Sequence, residues 1–506
     1  MSTASKKEIK SEYANQRSAS VHIMENHDRS YYVWKESGVK NRRLVHIDAH
    51  HDMWFIKKGS QITIANFICR ALEEDILKEV FWIVPDESME SQKNKKAILQ
   101  HLKRIIRRYP ESSKKIKIDK DEISAFVLNK PLRICTLDSI PEITEDVLLD
   151  IDVDYMIIPH VSYGKTDKHS EIPWCWPNEL LNRINLKKIH SDIITIAYSV
   201  EGGYTPLKWK YLGDELALRI KNGNSSSLRM MEMVKEASIL ANDDKFLLAE
   251  AKYIEAKDLM PASPVPCFHL ALLNQNMNKV QESQSYYKQA LNIDPSYRTA
   301  YNNLAYVYFE DKLFRKAEIE VNKVLSLDPE DANAHLILGL IAMKKKNWKE
   351  AEDFICNSIR LNENLPDAYH ALGDIQKKQN KTNEAINLFE KSLKLSLKGY
   401  RSLNAFILSR AKENFLTDPD YFEVHVKLAK LYAKKNLTTK AISSYKIGIA
   451  GGHYSTMIYI HLALLYLKEK KVKQALSELL ESVKVFPEEV INIFSELLES
   501  LDRIKQ

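Results

Sequence analysis

The sequence predicts two folds in tandem: an α/β domain with a mainly parallel sheet, followed by an all-α solenoid of paired helices. Two patterns carry this reading. Over residues 21–220, short β-rich apolar runs alternate with longer amphipathic ones, the order expected of strands joined by crossover helices. Beyond residue 264, apolar and small residues recur with a fixed period of 34, the signature of stacked helical repeats. The implied boundaries are a polar tail over 1–20, the α/β domain over 21–222, a linker and helical connection over 223–263, and repeats over 264–506.

The strands are expected at 44–47, 80–84, 132–135, 147–153 and 193–198, with helical spacing at 64–80 and 95–108. In a parallel sheet, ligands gather at the carboxyl ends of the strands. The run Leu44-Val45 leads into His46-Ile47-Asp48-Ala49-His50-His51-Asp52, where Asp48, His50 and Asp52 alternate. In an extended segment that spacing turns all three to one side. Crowded carboxylates repel unless a cation lies between them.

Other strand ends repeat the pattern. Residues 147–149 run into Asp150-Ile151-Asp152-Val153-Asp154, residues 21–24 into Glu25-Asn26-His27-Asp28, and residues 193–198 into Ser199-Val200-Glu201-Gly202-Gly203-Tyr204. Four strand ends thus offer acids and histidines, enough for two metals sharing bridging carboxylates. Carboxylate with some imidazole suits Mn²⁺ better than a thiolate-seeking metal.

These motifs resemble the arginase–deacetylase superfamily: Asp-Ala-His-x-Asp, a later Asp-Val-Asp, an earlier single His and a later Glu. The context of His27 and the Tyr204-Thr205-Pro206 ending resemble the peptide arginase branch, which converts arginine to ornithine within ribosomally made peptides. The likeness covers about residues 20–220. It implies two Mn²⁺, one held by His27, Asp48, Asp52 and Asp152, the other by His50, Asp48, Asp152 and Asp154. Asp48 and Asp152 would bridge, Asp52 would also handle the proton of the attacking hydroxide, and Glu201 would orient the substrate guanidinium. Free-arginine arginases follow the first motif with a polar loop, whereas Met53-Trp54-Phe55-Ile56-Lys57-Lys58 is apolar and basic, which argues for a larger substrate.

No histidine lies between His51 and His101 to match the family's proton shuttle. His160 and His169 are substitutes, though each also reads as a surface residue. His22 and His46 read as buried structural residues, and His51 faces away from His50. Asp150 reads as a backbone cap or a monovalent-cation ligand. Trp174 and Trp176 either line a peptide cleft or cover the sheet.

Lys221-Asn222-Gly223-Asn224-Ser225-Ser226-Ser227 reads as a linker. After it, Leu270, Leu304, Leu338 and Leu372 mark the 34-residue period, as do Ser283, Ala317, Ala351 and Ala385. The register slips, then resumes at Leu428 and Leu462, with Ala441 and Ala475. The pattern resembles a tetratricopeptide array of six units over residues 264–487, with an irregular segment near 397–420, capping helices at both ends and a degenerate earlier unit at 229–260. Its first helices would line a partner-binding surface through Tyr301, Asn302, Tyr306, Tyr369 and His370.

The 74 basic and 68 acidic residues leave +6, too mild to argue for nucleic acid. Five scattered cysteines (Cys69, Cys135, Cys175, Cys267, Cys356) suit a reducing compartment. A polar start and the lack of a long apolar run predict a cytoplasmic protein without a membrane span. The expected activity is a binuclear manganese hydrolase acting on arginine in a precursor peptide, with homo-oligomerisation left open. The alternatives are hydrolysis of another amidine or an acyl-lysine, and a repeat adaptor carrying a non-catalytic metal domain.

Overall fold

The computed structural model describes residues 19–54, 62–109, 116–163, 167–200, 204–310, 312–398, 400, 419–450 and 455–485. The chain divides into two compact units. One runs to Leu304 and includes Ser326–Asp328; the other holds Ala305–Leu325 and everything from Pro329.

The first unit is built on eight strands: β1 (Ser20–Met24), β2 (Arg42–Ile47), β3 (Leu77–Ile83), β4 (Lys117–Ile118), β5 (Glu122–Val127), β6 (Lys130–Cys135), β7 (Val147–Asp152) and β8 (Ser191–Ala197). They form one mixed sheet in the order β1-β8-β7-β2-β3-β6-β5-β4. The pairs β1–β8, β8–β7, β7–β2, β2–β3 and β3–β6 are parallel, so the expected parallel sheet is present. An antiparallel edge of β6, β5 and β4 is added to it. The sequence pattern hides β5 because only alternate residues, Ile123, Ala125 and Val127, are buried, between polar flanks.

The helices α1 (Arg29–Glu36), α2 (Phe67–Glu73), α3 (Glu87–Glu90), α4 (Gln92–Arg108), α5 (Pro177–Leu186) and α6 (Tyr211–Ile220) cover the sheet. The helix expected over 64–80 is cut short. It ends at Glu73, the chain turns through Asp75 at φ 54°, and Leu77 already belongs to β3. Alternation then sorts the strand side chains between two cores. Val45, Ile47, Leu149, Ile151, Ile194 and Ile196 pack on one face. Leu44, Val80, Leu132, Leu148 and Ile193 pack on the other.

The polar run at 221–227 is only partly a linker. Asn224 accepts from Ser226 N at 2.8 Å, and Ser225 opens α7 (Ser225–Asn242). With α8 (Phe246–Leu259), α9 (Pro264–Asn276) and α10 (Val280–Ile293), it belongs to the first unit. Met230, Val234, Val265 and Leu270 share a core with the sheet, and His269 Nε2 bonds the Lys208 carbonyl at 2.9 Å. The first helical pairs are therefore extensions of the α/β core.

Next come α11 (Ser296–Glu310), α12 (Phe314–Leu327), α13 (Ala332–Lys344), α14 (Trp348–Leu361), α15 (Pro366–Lys378) and α16 (Thr382–Leu397), followed by the helices Pro419–Lys434, Thr438–Ala450, Thr456–Lys468 and Val472–Val485. The periodic small residues Ser283, Ala317, Ala351, Ala385, Ala441 and Ala475 are all buried, so paired helices approach closely wherever the period places them. Residues 401–418 and 486–506, where an irregular segment and a capping helix are expected, lie outside the described residues, as does most of the polar tail.

Gly373 is one point of close approach: a Cβ there would lie 2.6 Å from the Phe389 ring. Gly373→Val should destabilise the repeats by about 1–3 kcal/mol. Thermal unfolding should report a lower transition, with metal uptake by the α/β domain unchanged.

Candidate metal centre

The four strands whose ends carry the expected ligands are neighbours in the sheet, in the order β1-β8-β7-β2. All are parallel, so their carboxyl ends meet along one edge. Register does the fine placement. His46 pairs with Asp150, and Asp150 with Thr195, which puts the three in one row across the sheet.

His27 follows β1, Asp48 follows β2, and Asp152 ends β7. Asp154 sits in the 3-10 turn Val153–Met156, its backbone N bonded to Asp152 Oδ1 at 3.0 Å. The 48–52 segment is a bent loop rather than a continued strand, and Asp52 takes the left-handed conformation, φ 48°. Aspartate tolerates that region better than most residues.

Six of the expected residues converge. His27 Nδ1 lies 3.2 Å from Asp48 Oδ2, 3.2 Å from Asp52 Oδ2 and 3.1 Å from Asp152 Oδ2. His50 Nδ1 lies 2.8 Å from Asp154 Oδ2 and 3.5 Å from Asp48 Oδ1. Four candidate metal-ligating triads result among the described residues: His27–Asp48–Asp152 and Asp48–His50–Asp154, made of expected ligands alone and joined at Asp48, and His46–Asp48–Asp52 and His27–His46–Asp150, which include His46. Asp152 reaches only the first triad, since its Oδ1 holds Asp154 N and its Oδ2 accepts from Ser199 Oγ at 2.5 Å.

A second layer fixes these groups. Asp150 is fully buried and accepts from Ser30 Oγ (2.8 Å) and Thr195 Oγ1 (2.5 Å), while its other oxygen meets His27 Nε2 and His46 Nδ1, each at 2.8 Å. It is therefore a side-chain hub rather than a backbone cap. By holding His27 Nε2–H it turns Nδ1 toward the other carboxylates, the usual way a carboxylate orients a ligating imidazole. Asp167, which no sequence motif singles out, does the same for His50, 3.0 Å from its Nε2. Trp82 Nε1 donates to the Asp48 carbonyl at 2.9 Å.

The electrostatics show what is missing. Burial and the neighbouring Asp48 push Asp52 up to about 6. Burial, Asp152 and Asp48 push Asp154 well above the usual carboxylate range. Burial would also raise Asp48, but the imidazoles of His27, His46 and His50 hold it well below. Burial disfavours the charged forms of His27 and His50, yet Asp150 and Asp154 respectively draw them well above 6.5. Protons are standing in for positive charge. Meanwhile His27 Nδ1, His46 Nε2, Asp48 Oδ2 and Asp154 Oδ1 are buried without a hydrogen-bond partner. Such atoms are rare in folded proteins. Unpaired lone pairs and excess carboxylate in one place fit a bound cation.

The centre lines a cavity of about 100 Å³ with Trp54, Ile64, Trp82, His101 and Tyr204 on its walls. His101 is inconspicuous in the sequence because α4 lies far from every motif. Its Nε2 bonds the Ser162 carbonyl at 2.7 Å, leaving Nδ1 buried and unpaired. His160 and His169 do not line the cavity; they meet Glu87 and the Tyr204 carbonyl.

His46 is buried as expected, but its Nε2 also faces Asp48 at 3.3 Å, so it belongs to the cluster. His51 accepts from Met53 N at 2.9 Å and is outside all of these triads. His22 is exposed, because β1 is the edge strand, so its expected burial is corrected. Trp176 is buried against Trp209 and Trp174 bonds the Tyr155 carbonyl; neither lines the cavity, so the two cover the sheet. Glu201 and residues 55–58 lie outside the described residues.

In the second unit, Tyr306 and His370 line a groove of about 580 Å³ with Phe309, Trp348 and Asp374. Asn302 is buried and offers no surface, while the Tyr369 ring is covered by Lys391. The side chain of Tyr301 is outside the described residues.

A tetratricopeptide repeat family matches residues 266–297, 299–331 and 366–398. No curated protein matches the chain. Among solved structures, the chain is similar to the APC/C hetero-tetramer Cut9–Hcn1, at 20% identity over 57% of this chain and 52% of that one, with a TM-score of 0.32. It therefore spans about half of that chain. It is also similar to PilF of Pseudomonas aeruginosa (20% identity, 44% and 92% covered, TM-score 0.30). A tetratricopeptide repeat protein from Parabacteroides merdae is a third (18%, 54% and 99%, TM-score 0.26). The matched segments coincide with α9–α10, α11–α12 and α15–α16, so the helical half of the chain carries tetratricopeptide repeats.

If the cluster holds a cation, adding Mn²⁺ to chelator-treated protein should raise its thermal transition, by about 2.7 kcal/mol of stability at a hundredfold excess over Kd. Asp48→Ala should abolish the gain. A protonated Asp52 competes with the metal, so uptake should weaken as pH falls through about 6. Equal uptake at pH 5 and pH 8 would contradict the assignment.

Proposed function

We propose that the α/β domain is a binuclear manganese hydrolase that converts arginine residues of a peptide to ornithine and releases urea, the repeats recruiting the peptide. The observation that carries the reading is the pair of triads joined at Asp48, with buried unpaired atoms in each. Oxygen-rich donors with one imidazole per triad suit Mn²⁺. His27, Asp48, Asp52 and Asp152 would hold one ion, and His50, Asp48 and Asp154 the other, so that Asp48 alone bridges and the bridging role expected of Asp152 is dropped. When bound, such ions supply positive charge that acidifies water and polarises an electrophile.

The rest is the work of the chain itself. Asp150 and Asp167 orient His27 and His50 through their Nε2 atoms. Asp52, whose Oδ2 faces the same cluster 3.2 Å from His27 Nδ1, is the proposed acceptor of the proton of the attacking hydroxide. Trp54, Trp82 and Tyr204 wall the cavity and limit the water within it. A guanidinium is charged at any working pH, so an anion must orient it; Glu201 is the proposed partner. In the balanced reaction one water adds its oxygen to the guanidinium carbon as the bond to Nε breaks. Both water protons finish on that nitrogen, which leaves as the ornithine ammonium, and the carbon departs in urea.

The peptide, rather than free arginine, is proposed because the loop after Asp52 is apolar and basic. The domain is also joined to tetratricopeptide repeats, which generally mediate protein or peptide interactions. All five cysteines are free, in keeping with action in a reducing cytoplasm. Among the described residues no helix is long and apolar enough to cross a membrane.

Incubation with Mn²⁺ and an arginine-containing partner peptide should yield urea and a mass loss of CH₂N₂ per arginine. Glu201→Gln should abolish turnover while leaving metal content and peptide binding in place. Metal-loaded protein that binds its peptide but leaves the mass unchanged would reject the catalytic reading in favour of an adaptor. A single ion per chain with loss of an acyl group from lysine would support the deacylase alternative.

A further inference from the structure

The helix that delivers His101 to the cavity has an unusual charge. Its sequence, QKNKKAILQHLKRIIRR, carries seven lysines and arginines and no acid. Elsewhere the charges nearly balance, leaving +6 over the whole chain. One face of α4 is buried through Lys95, Ile98, Leu102, Ile105 and Ile106. The other exposes Lys93, Lys96, Lys103, Arg104, Arg107 and Arg108.

Among the described residues, none of those six enters an ion pair, whereas Arg42, Arg43, Arg133 and Arg183 elsewhere in the same unit each have a carboxylate partner. The arrangement is locally unfavourable. Lys93 and Lys96 stand near the helix N-terminus, where the dipole disfavours cations. Lys103–Arg107 and Arg104–Arg108 are like-charge pairs at i,i+4 spacing. Arg107 and Arg108 suit the last turn and Arg104 packs on Trp54, but neither helix stability nor packing accounts for Lys93, Lys96 and Lys103.

Its position ties it to the cavity. The Arg104 guanidinium lies 4.4 Å from the centroid of the Trp54 ring, and Trp54 and His101 both form cavity walls. From residue 93 to 108 the stripe runs about 22 Å, the span of roughly seven residues of extended peptide. We propose that this face of α4 binds an acidic stretch of the substrate peptide beside the arginine that enters the cavity. The inference rests on the peptide-arginine reading above. It makes α4 a selectivity element: the stripe repels free arginine, a cation, and attracts arginine set among glutamates or aspartates. A membrane surface is disfavoured because the apolar face of α4 is already committed to the core.

The test measures binding apart from turnover, using the full-length protein and labelled peptides with one arginine flanked by glutamates or by serines. Wild-type protein should prefer the glutamate peptide, and the preference should fade at high salt. The combined change Lys96→Glu, Lys103→Glu, Arg107→Glu and Arg108→Glu should raise Kd for the glutamate peptide by at least about tenfold and leave the cationic serine peptide bound at least as tightly as by the wild type. A milder Lys103→Gln, Arg107→Gln variant should fall between, and Mn²⁺-induced thermal stabilisation of both variants reports that the domain is folded. Unchanged affinity for the glutamate peptide in the folded variants overturns the proposal. So does loss of single-stranded RNA binding with peptide binding retained, which would assign the stripe to nucleic acid. A peptide that binds in this charge-dependent way but releases no urea would instead count against the catalytic reading alone.

Discussion

Four aspartates held within 3.5 Å of two imidazoles are the constraint on which the α/β domain depends. Packed this closely and largely away from water, carboxylates cannot all remain charged without a counter-ion. The fold answers with geometry rather than fixed cations: among the described residues, no lysine or arginine lines the cavity. Positive charge must come as protons on histidine and aspartate or as a metal. The first option leaves four buried atoms unpaired, and a metal would give them a partner.

The sheet makes that packing possible. Because β1, β8, β7 and β2 are parallel and adjacent, residues from positions 27, 48, 152 and 199 arrive at one edge despite their separation in sequence. Asp150 then sets the angles. One buried carboxylate, met by two imidazoles and two hydroxyls, fixes which nitrogen of His27 faces the site. Helical pairs α7–α8 and α9–α10 complete the same core, so the first of the repeats is part of this domain.

Much of this is legible in the sequence. Alternating acids after apolar runs signal strand ends, and a parallel sheet then requires those ends to meet; the family resemblance is what picks His27, Asp48, Asp152 and Asp154 out of them. The helical repeats are legible because small residues must recur wherever two helices touch. The features that escape the sequence are those that depend on register or on distant elements. Asp150 is not recognisable as a hub because its partners His46 and Thr195 are set by strand pairing. His101 and Asp167 reach the cavity from a helix and a loop that carry no motif. The helix expected over 64–80 fails because apolar residues of α2 and β3 run together, and only the turn at Asp75 separates them.

The central claim is that two divalent ions share Asp48. Anomalous diffraction from crystals grown with Mn²⁺ tests it most directly. The account predicts two peaks, one against His27 and Asp52 and one against His50 and Asp154, with an oxygen of Asp48 in contact with each. A metal-saturated crystal with no peak in this cluster, or with Asp48 turned away from the ions, would contradict it.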